Sequence, residues 1–229
     1  MKFILATAFF FLITTKMGAQ THQKIVAHKI KQITSYDQDT KDNKIKYDTI
    51  IEVFDTLGYS IREFRTRGLR YTNVYIHVFD SLKREIQCKQ VSENKTYLVY
   101  KTIYKPDGGF FRIYSENTSF EERREYNKQE IEISSFSDID KHKTIFTLDS
   151  LNNYFQITTI YSNKPDQIKR YNLSYDKSGN LVKRSALSAD GSEMIFEYND
   201  LGLVSKTIFY PKKRDKTWKT IRVTTYEFY

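Results

Sequence analysis

A strand–turn–strand unit returns along this chain about every two dozen residues. In each copy an aromatic or large apolar residue precedes a short turn, and an extended run follows. The clearest copies are Tyr175–Leu181 and Tyr198–Leu203. The anchors are separated by 25, 25, 22, 22, 27 and 23 residues and are Phe54, Phe79, Tyr104, Tyr126, Leu148, Tyr175 and Tyr198. Such a period is typical of a repeat array, in which neighbouring units bury what one unit cannot bury alone.

The turns have the residues that a type I turn followed by a bulge requires. An Asp or Asn at the first position can accept a backbone hydrogen bond, and a Gly three positions later adopts the left-handed conformation. The pairs that fit this pattern are Asp55 with Gly58, Asp176 with Gly179, and Asn199 with Gly202. These six residues are the predicted structural turn sites.

Residues between the turns alternate with a period of two. Val74, Ile76 and Val78 share one face of a strand, and the residues between them share the other. The segment from Ser119 to Asn127 fits a helix or a strand, and the repeat register favours the strand. The pattern predicts an all-β fold, an antiparallel meander of successive hairpin repeats. We expect an extended or curved open sheet, either single or folded into two layers.

The N-terminus has the features of an export signal. Lys2 precedes an apolar stretch from Phe3 to Thr15, which is too short for a comfortable membrane span, and Ala19 offers a cleavage site. We therefore predict a signal peptide over 1–19, a loosely ordered segment over 20–46 and a single β-hairpin repeat domain over 47–229. The expected location is periplasmic, cell-surface or secreted in a Gram-negative bacterium, with no transmembrane span after cleavage.

Charge and cysteine content narrow the function classes. The net charge of +9 falls to +7 when Lys2 and Lys16 leave with the signal, and it is spread along the chain. This distribution favours solubility over a nucleic-acid site. Cys88 is the only cysteine, so core packing and sheet hydrogen bonds must stabilise the fold without an intramolecular disulfide.

Reactive motifs are scarce. The four histidines lack the spacing of a helical metal site, and Cys88 has no second cysteine nearby. We interpret His77 as a sheet histidine in preference to a catalytic base. We interpret the segment with Asp138 and Asp140 beside His142 as a solvated turn in preference to a cation site. We predict no catalytic residue, no metal and no cofactor.

A basic stretch near the C-terminus is the candidate binding site. Its members are Trp218, Lys212, Lys213, Arg214 and Lys216. The functional interpretation is an anion-binding loop with Trp218 as a stacking platform, and the structural alternative is a charged hairpin whose Trp packs on the sheet.

The Tyr-Asp-x-x-Gly-Asn-Leu element at Tyr175–Leu181, with its neighbour at Tyr198–Leu203, resembles the YD repeats of the RHS-type family and, more loosely, MORN-type hairpin repeats. The resemblance covers about residues 171–210. It implies strand–turn–strand units in an exported protein, as in surface proteins of that family that are linked to carbohydrate binding. The chain is too short for the closed shell that many such repeats build.

Three functions remain open. The leading hypothesis is an exported, non-catalytic β-repeat protein that binds or scaffolds at the cell envelope, with a glycan or another surface protein as partner. A small outer-membrane β-barrel is the second, prompted by the aromatic C-terminus Tyr226–Tyr229, although the run Tyr59–Arg65 carries charge on both faces. The third is a hydrolase whose carboxylates meet only in the fold.

Overall fold

Sixteen β-strands form nearly all of the regular structure in the residues that the computed structural model describes, which are 24–39, 48–67, 71–92, 95–115, 121–139, 141–188, 191–212 and 219–229. The strands are β1 (Ile30–Asp39), β2 (Asp48–Phe54), β3 (Ser60–Arg67), β4 (Tyr71–Phe79), β5 (Glu85–Ser92), β6 (Lys95–Tyr104), β7 (Phe110–Ser115), β8 (Glu121–Tyr126), β9 (Glu132–Ser137), β10 (His142–Leu148), β11 (Tyr154–Tyr161), β12 (Gln167–Tyr175), β13 (Leu181–Ala186), β14 (Glu193–Tyr198), β15 (Val204–Tyr210) and β16 (Thr220–Phe228). The predicted all-β antiparallel meander is confirmed, and the strand is the correct alternative for residues 121–126.

The sheet closes on itself. Each strand pairs with the next one in the chain, and β1 also pairs antiparallel with β16, from Ile30 opposite Phe228 to Asp39 opposite Thr220. The expectation of an open sheet is therefore wrong. The segment 20–46, for which polar composition suggested loose order, contains β1, and this strand joins β2 to β16. Closure gives both edge strands a partner and removes the unpaired edges that an open sheet would expose.

Seven tight turns within the described residues connect the strands at one rim of the barrel. In the first, the Asp55 carbonyl accepts a hydrogen bond from Gly58 N at 3.0 Å, and the Asp55 carboxylate accepts one from Leu57 N at 2.9 Å. The fourth turn residue has positive φ in all seven, whether or not it is glycine; these residues are Gly58, Lys83, Gly108, Glu130, Asn152, Gly179 and Gly202. The anchors predicted from the sequence stand directly before these turns.

Turn carboxylates are stabilised in their charged form. Backbone hydrogen bonding from Arg84 is the main cause that lowers the pKa of Asp80. The side-chain amide of Asn180, followed by its backbone N–H, lowers the pKa of Asp176. Donors aimed at a carboxylate favour the ionised state, even at the surface.

Both ends of the described chain lie at the tight-turn rim. Tyr229 donates a hydrogen bond from its backbone N to the Lys29 carbonyl at 2.9 Å and from its hydroxyl to the Phe54 carbonyl at 2.6 Å. A helical turn at residues 24–27 precedes β1, and Lys24 Nζ donates to the Gly202 carbonyl. Ile25 is buried against Ile30, Ile33, Phe54 and Leu203. The other strand ends lie at the opposite rim.

Cross-strand register assigns side chains to the two faces of the wall. Register partners share a face, and buried side chains on neighbouring strands are register partners, as with Phe110 and Tyr126 or Phe146 and Ile157. Side chains crowd on the concave face of a closed sheet, so this face is the inner wall. Side chains at the alternate positions form the outer wall.

Candidate functional site

A charged cluster on the inner wall of β4 to β7 is centred on Glu85. Its Oε1 lies 2.8 Å from His77 Nδ1 and accepts a hydrogen bond from the Tyr100 hydroxyl at 2.5 Å. Its Oε2 accepts a hydrogen bond from Arg112 Nη2 at 2.8 Å. The Tyr104 hydroxyl donates to the Glu85 backbone carbonyl at 3.1 Å. One carboxylate thus anchors side chains from three neighbouring strands.

Aromatic rings surround the Arg112 guanidinium. Its Cζ lies 4.7 Å from the centre of the Tyr100 ring, 5.1 Å from that of Tyr126 and 5.5 Å from that of Phe110. Phe110 and Tyr126 stack on each other with their ring centres 4.7 Å apart. Cations over aromatic faces are stabilised by the ring quadrupole, more strongly where water is excluded. The rings therefore hold Arg112 on the wall beside Glu85.

A second guanidinium extends this cluster along the wall. Arg124 Nε donates a hydrogen bond to Glu122 at 2.6 Å, and Arg124 Nη1 lies 3.8 Å from Glu132 Oε2. Its Cζ lies 4.8 Å from the centre of the Tyr114 ring. Glu132 is only 2 % exposed. Burial of a carboxylate is costly unless a cation is near, and Arg124 supplies that cation.

Acidic residues continue the inner wall on the other side of His77. Glu52 and Glu63 are register partners on β2 and β3, and Tyr75 follows them on β4. Some buried polar atoms of the wall form no hydrogen bond with the described residues; these are His77 Nε2, Arg112 Nε, Tyr126 Oη and Glu132 Oε2. Hydrogen-bond donors and acceptors are both present among these buried atoms. Within the described part of the chain, no three His, Cys, Asp or Glu side chains converge as metal ligands.

We call the four strands β2 to β5 the first arc. The outer wall of the first arc is largely apolar. Ile51, Phe64, Val74 and Val91 form one continuous register row across the four strands. The adjoining row is mixed and contains Val53, Arg62, Ile76 and Lys89. The first arc therefore carries apolar side chains outside and the Glu52, Glu63, His77 and Glu85 side chains inside.

The wall of β12 and β13, which we call the second arc, has the opposite arrangement. Its outer register pairs are Asn172 with Ser185 and Ser174 with Lys183. Its inner side carries Tyr171, Leu173 and Ala186, which belong to an apolar cluster with Ile131, Phe146, Tyr154 and Ile157. Arg184 is a charged residue on the same side, with its Cζ 5.2 Å from the centre of the Tyr171 ring.

The predicted binding residues lie mostly outside the described residues. The residues outside the described part are Trp218, Lys213, Arg214 and Lys216. The predicted signal peptide also lies outside it. Lys212 is described, and it is an exposed residue after β15. The predicted turn residues, from Asp55 and Gly58 to Asn199 and Gly202, lie at the tight-turn rim. Cys88 is buried at the inner wall, where its register partners are His77 and Tyr100.

Sequence reasoning did not identify Glu85 and Arg112 as cluster members. The contact between His77 and Glu85 could have been predicted from the sequence. The two residues stand on either side of the tight turn that begins at Asp80, and the bulge in that hairpin brings them to one face. Arg112 is two hairpin strands further on, and only the concave curvature of the closed sheet brings it to Glu85. No local pattern encodes that curvature.

No protein-family model and no curated protein matches this chain. Among solved structures, a porin-like protein from Bacteroides uniformis ATCC 8492 is similar with a TM-score of 0.48 and 8 % identity, covering 86 % of this chain and 98 % of that one. A DUF1329 family protein from Desulfovibrio piger ATCC 29098 has a TM-score of 0.32 and 9 % identity, with 93 % and 91 % covered. TcdB2-TccC3 without its hypervariable C-terminal region has a TM-score of 0.33 and 12 % identity, covering 81 % of this chain and 11 % of that one. These weak likenesses carry no argument about function.

In the described residues, no helix is long and apolar enough to cross a membrane.

Proposed function

We propose that this chain is a small outer-membrane β-barrel whose inner lining is charged along β2 to β9 and largely apolar along β10 to β13. The observation that carries the proposal is the closed antiparallel sheet of sixteen strands, with all seven tight turns and both described chain ends at one rim. Outer-membrane barrels have even strand numbers, short turns at one rim and a polar interior. Closure also leaves no strand edge with unpaired backbone groups, which the hydrocarbon core would not tolerate.

The two faces of the first arc support this orientation. Its outer row of Ile51, Phe64, Val74 and Val91 is suited to acyl chains, whereas Glu52 and the Glu85 cluster line the interior. A barrel of about sixteen strands is wide enough for an aqueous channel in porins. The proposal assigns the inner wall a role in contacting polar solutes and no catalytic step.

Membrane fractionation tests the proposal. The full-length chain, expressed with its own N-terminus in a Gram-negative host, should stay in the outer-membrane pellet after a carbonate wash. It should also migrate differently on an SDS gel before and after boiling, because a closed barrel resists detergent unfolding. Release of the folded chain into the carbonate supernatant would refute the proposal.

A second candidate is an exported barrel that stays in water and binds a glycan or another envelope protein. The outer wall of the second arc favours it, because Asn172, Ser174, Lys183 and Ser185 leave that wall polar. A charged side chain at the bilayer midplane costs about 2–4 kcal/mol, and close to the interface about 0–1 kcal/mol. Carbonate release together with export would select this candidate.

A further inference from the structure

A register row on the outer wall alternates cations with large apolar side chains. It runs across six consecutive strands from β6 to β11, and each member is the cross-strand partner of the next. We call it the outer row, and its members in order are Lys101, Ile113, Arg123, Phe136, Lys143 and Ile160. It lies between the first and second arcs and belongs to neither.

The three cations are spaced evenly. They stand on every second strand, and adjacent strands lie about 4.8 Å apart, so neighbouring cations are about 10 Å apart. All three side chains are exposed, as are Phe136 at 43 % and Ile160 at 38 % between and beside them. The row therefore presents positive charge and apolar surface together along one line.

Two acids, Glu121 and Glu125, share the outer face of β8 with Arg123 and stand on either side of it, but within the described residues neither forms an ion pair with a cation of the outer row. Among the described residues, Lys101, Arg123 and Lys143 form no ion pair; the Arg123 guanidinium lies 3.6 Å from the centre of the Phe111 ring. Glu125, which lies within electrostatic reach of Lys143, accepts hydrogen bonds from Lys105 Nζ at 3.0 Å and Ser134 Oγ at 2.9 Å. Glu121 is a further exposed acid on the same strand as Arg123.

We propose that the outer row binds anionic phospholipid, with the headgroup phosphates on Lys101, Arg123 and Lys143 and the acyl chains against Ile113, Phe136 and Ile160. Long cationic side chains can lay their methylenes on apolar surface and extend the charged end to a phosphate. This arrangement removes the cost of uncompensated cations on a lipid-facing wall. The inference rests on the proposed membrane location.

Lipid retention by the purified protein tests the inference. The protein is extracted from membranes in a non-ionic detergent, and bound lipid is counted by native mass spectrometry after titration with phosphatidylglycerol, phosphatidylcholine or inorganic phosphate. The test variant combines Lys101→Gln, Arg123→Gln and Lys143→Gln. The matched control combines Lys31→Gln, Lys128→Gln and Lys177→Gln, three exposed residues elsewhere with the same change in charge. Heat-modified gel migration checks that both variants fold.

The wild type and the control should retain phosphatidylglycerol in preference to phosphatidylcholine, and inorganic phosphate should not displace it. Each surface cation contributes about 1 kcal/mol toward an anionic lipid, so the test variant, which lacks three, should bind phosphatidylglycerol about a hundredfold more weakly. Equal binding by the test variant and wild type, equal retention of the two lipids, or displacement by phosphate would overturn the inference. Carbonate extraction of the wild type tests the membrane location separately. If carbonate releases the chain, the proposed membrane location is wrong, but phosphatidylglycerol-selective binding by the released chain would still support the outer row as an anionic-lipid site.

Discussion

The first and second arcs are built on the same backbone and have opposite polarity. In the first arc, Val74 and its row face outward while Glu85 and its cluster face inward. In the second arc, Asn172 and Ser185 face outward while Tyr171 packs in an apolar cluster inside. Both arcs are built from antiparallel hairpins, two in the first arc and one in the second, with their tight turns at the same rim.

The contrast shows that the features that close the barrel differ from those that determine which environment each face suits. The turns and ladder hydrogen bonds close the sheet in both arcs, regardless of which face is apolar. Which alternate residues of a strand point outward then determines whether the outer wall is polar or apolar, since a shift of one residue exchanges the two faces. In the proposed outer-membrane barrel, the outer wall of the first arc would contact lipid, and that of the second arc would contact water or a protein partner. The following substitutions test this division.

Removing the Glu85 carboxylate should have the largest effect. Glu85→Ala leaves Arg112, His77 and Tyr100 without their shared acceptor on the inner wall of the first arc. Breaking a buried pair by removing one partner costs about 3–5 kcal/mol in the free energy of unfolding. Urea unfolding in detergent micelles, followed by circular dichroism, measures this loss.

The control for Glu85 is Glu121→Ala. Glu121 is an exposed carboxylate on β8, and its removal should change the unfolding free energy by no more than about 0.5 kcal/mol. Equal losses for the two variants would mean that the inner cluster does not stabilise the first arc.

A charge on the outer wall should distinguish the two arcs directly. Val74→Arg places a cation in the apolar outer row and should cost about 2–4 kcal/mol if that row faces lipid. Asn172→Arg adds the same charge to the exposed outer wall of the second arc and should cost little. The measurement is urea-dependent folding into phosphatidylcholine vesicles. Equal tolerance at both positions would contradict a lipid-facing first arc.

The local structure was predictable because its determinants are local. The Asp/Asn-to-Gly spacing at Asp55 and Asp176 and the alternation around Val74 need only a few consecutive residues, and the meander follows from them. Closure depends on β1 pairing with β16, where Ile33 stands opposite Tyr226, a contact between the two ends of the chain. The polar sequence of β1 gives little local indication of that partner.

The candidate site was less predictable than the strands. His77 was recognised as a sheet histidine, but its partner Glu85 was not, and Arg112 reaches the same carboxylate from a different hairpin. Four strands, β4 to β7, contribute to this cluster, so it depends on the curvature of the wall and on side-chain direction. Alternation shows that two faces exist, but it does not show which of them is concave.

A conservative core change tests whether the inner side of the second arc is packed as a core. Ile157 is 8 % exposed and packs in the apolar cluster with Tyr171. Ile157→Val should lower the unfolding free energy by about 0.5–1.5 kcal/mol. Ile168→Val removes the same methylene from a side chain that is 55 % exposed and should be nearly neutral in water. A larger loss at Ile168 than at Ile157 would reverse the assigned faces.

The smallest effect should come from a turn glycine, whose replacement leaves the faces of both arcs unchanged. Gly58 and Gly179 occupy the fourth position of the tight turns of the first and second arcs, with φ of 81° and 78°. No atom lies within 4 Å of a Cβ built on Gly179, so Gly179→Ala meets only the backbone cost of the left-handed region, about 1 kcal/mol. Gly179→Asn should cost less, since Asn152 adopts φ of 60° in an equivalent turn. If Gly179→Ala lowers the unfolding free energy by only about 1 kcal/mol while Val74→Arg and Asn172→Arg differ, the arcs differ mainly in the side chains that they turn outward. A loss at Gly179 as large as that at Val74 would instead place part of the stability contrast in the turns.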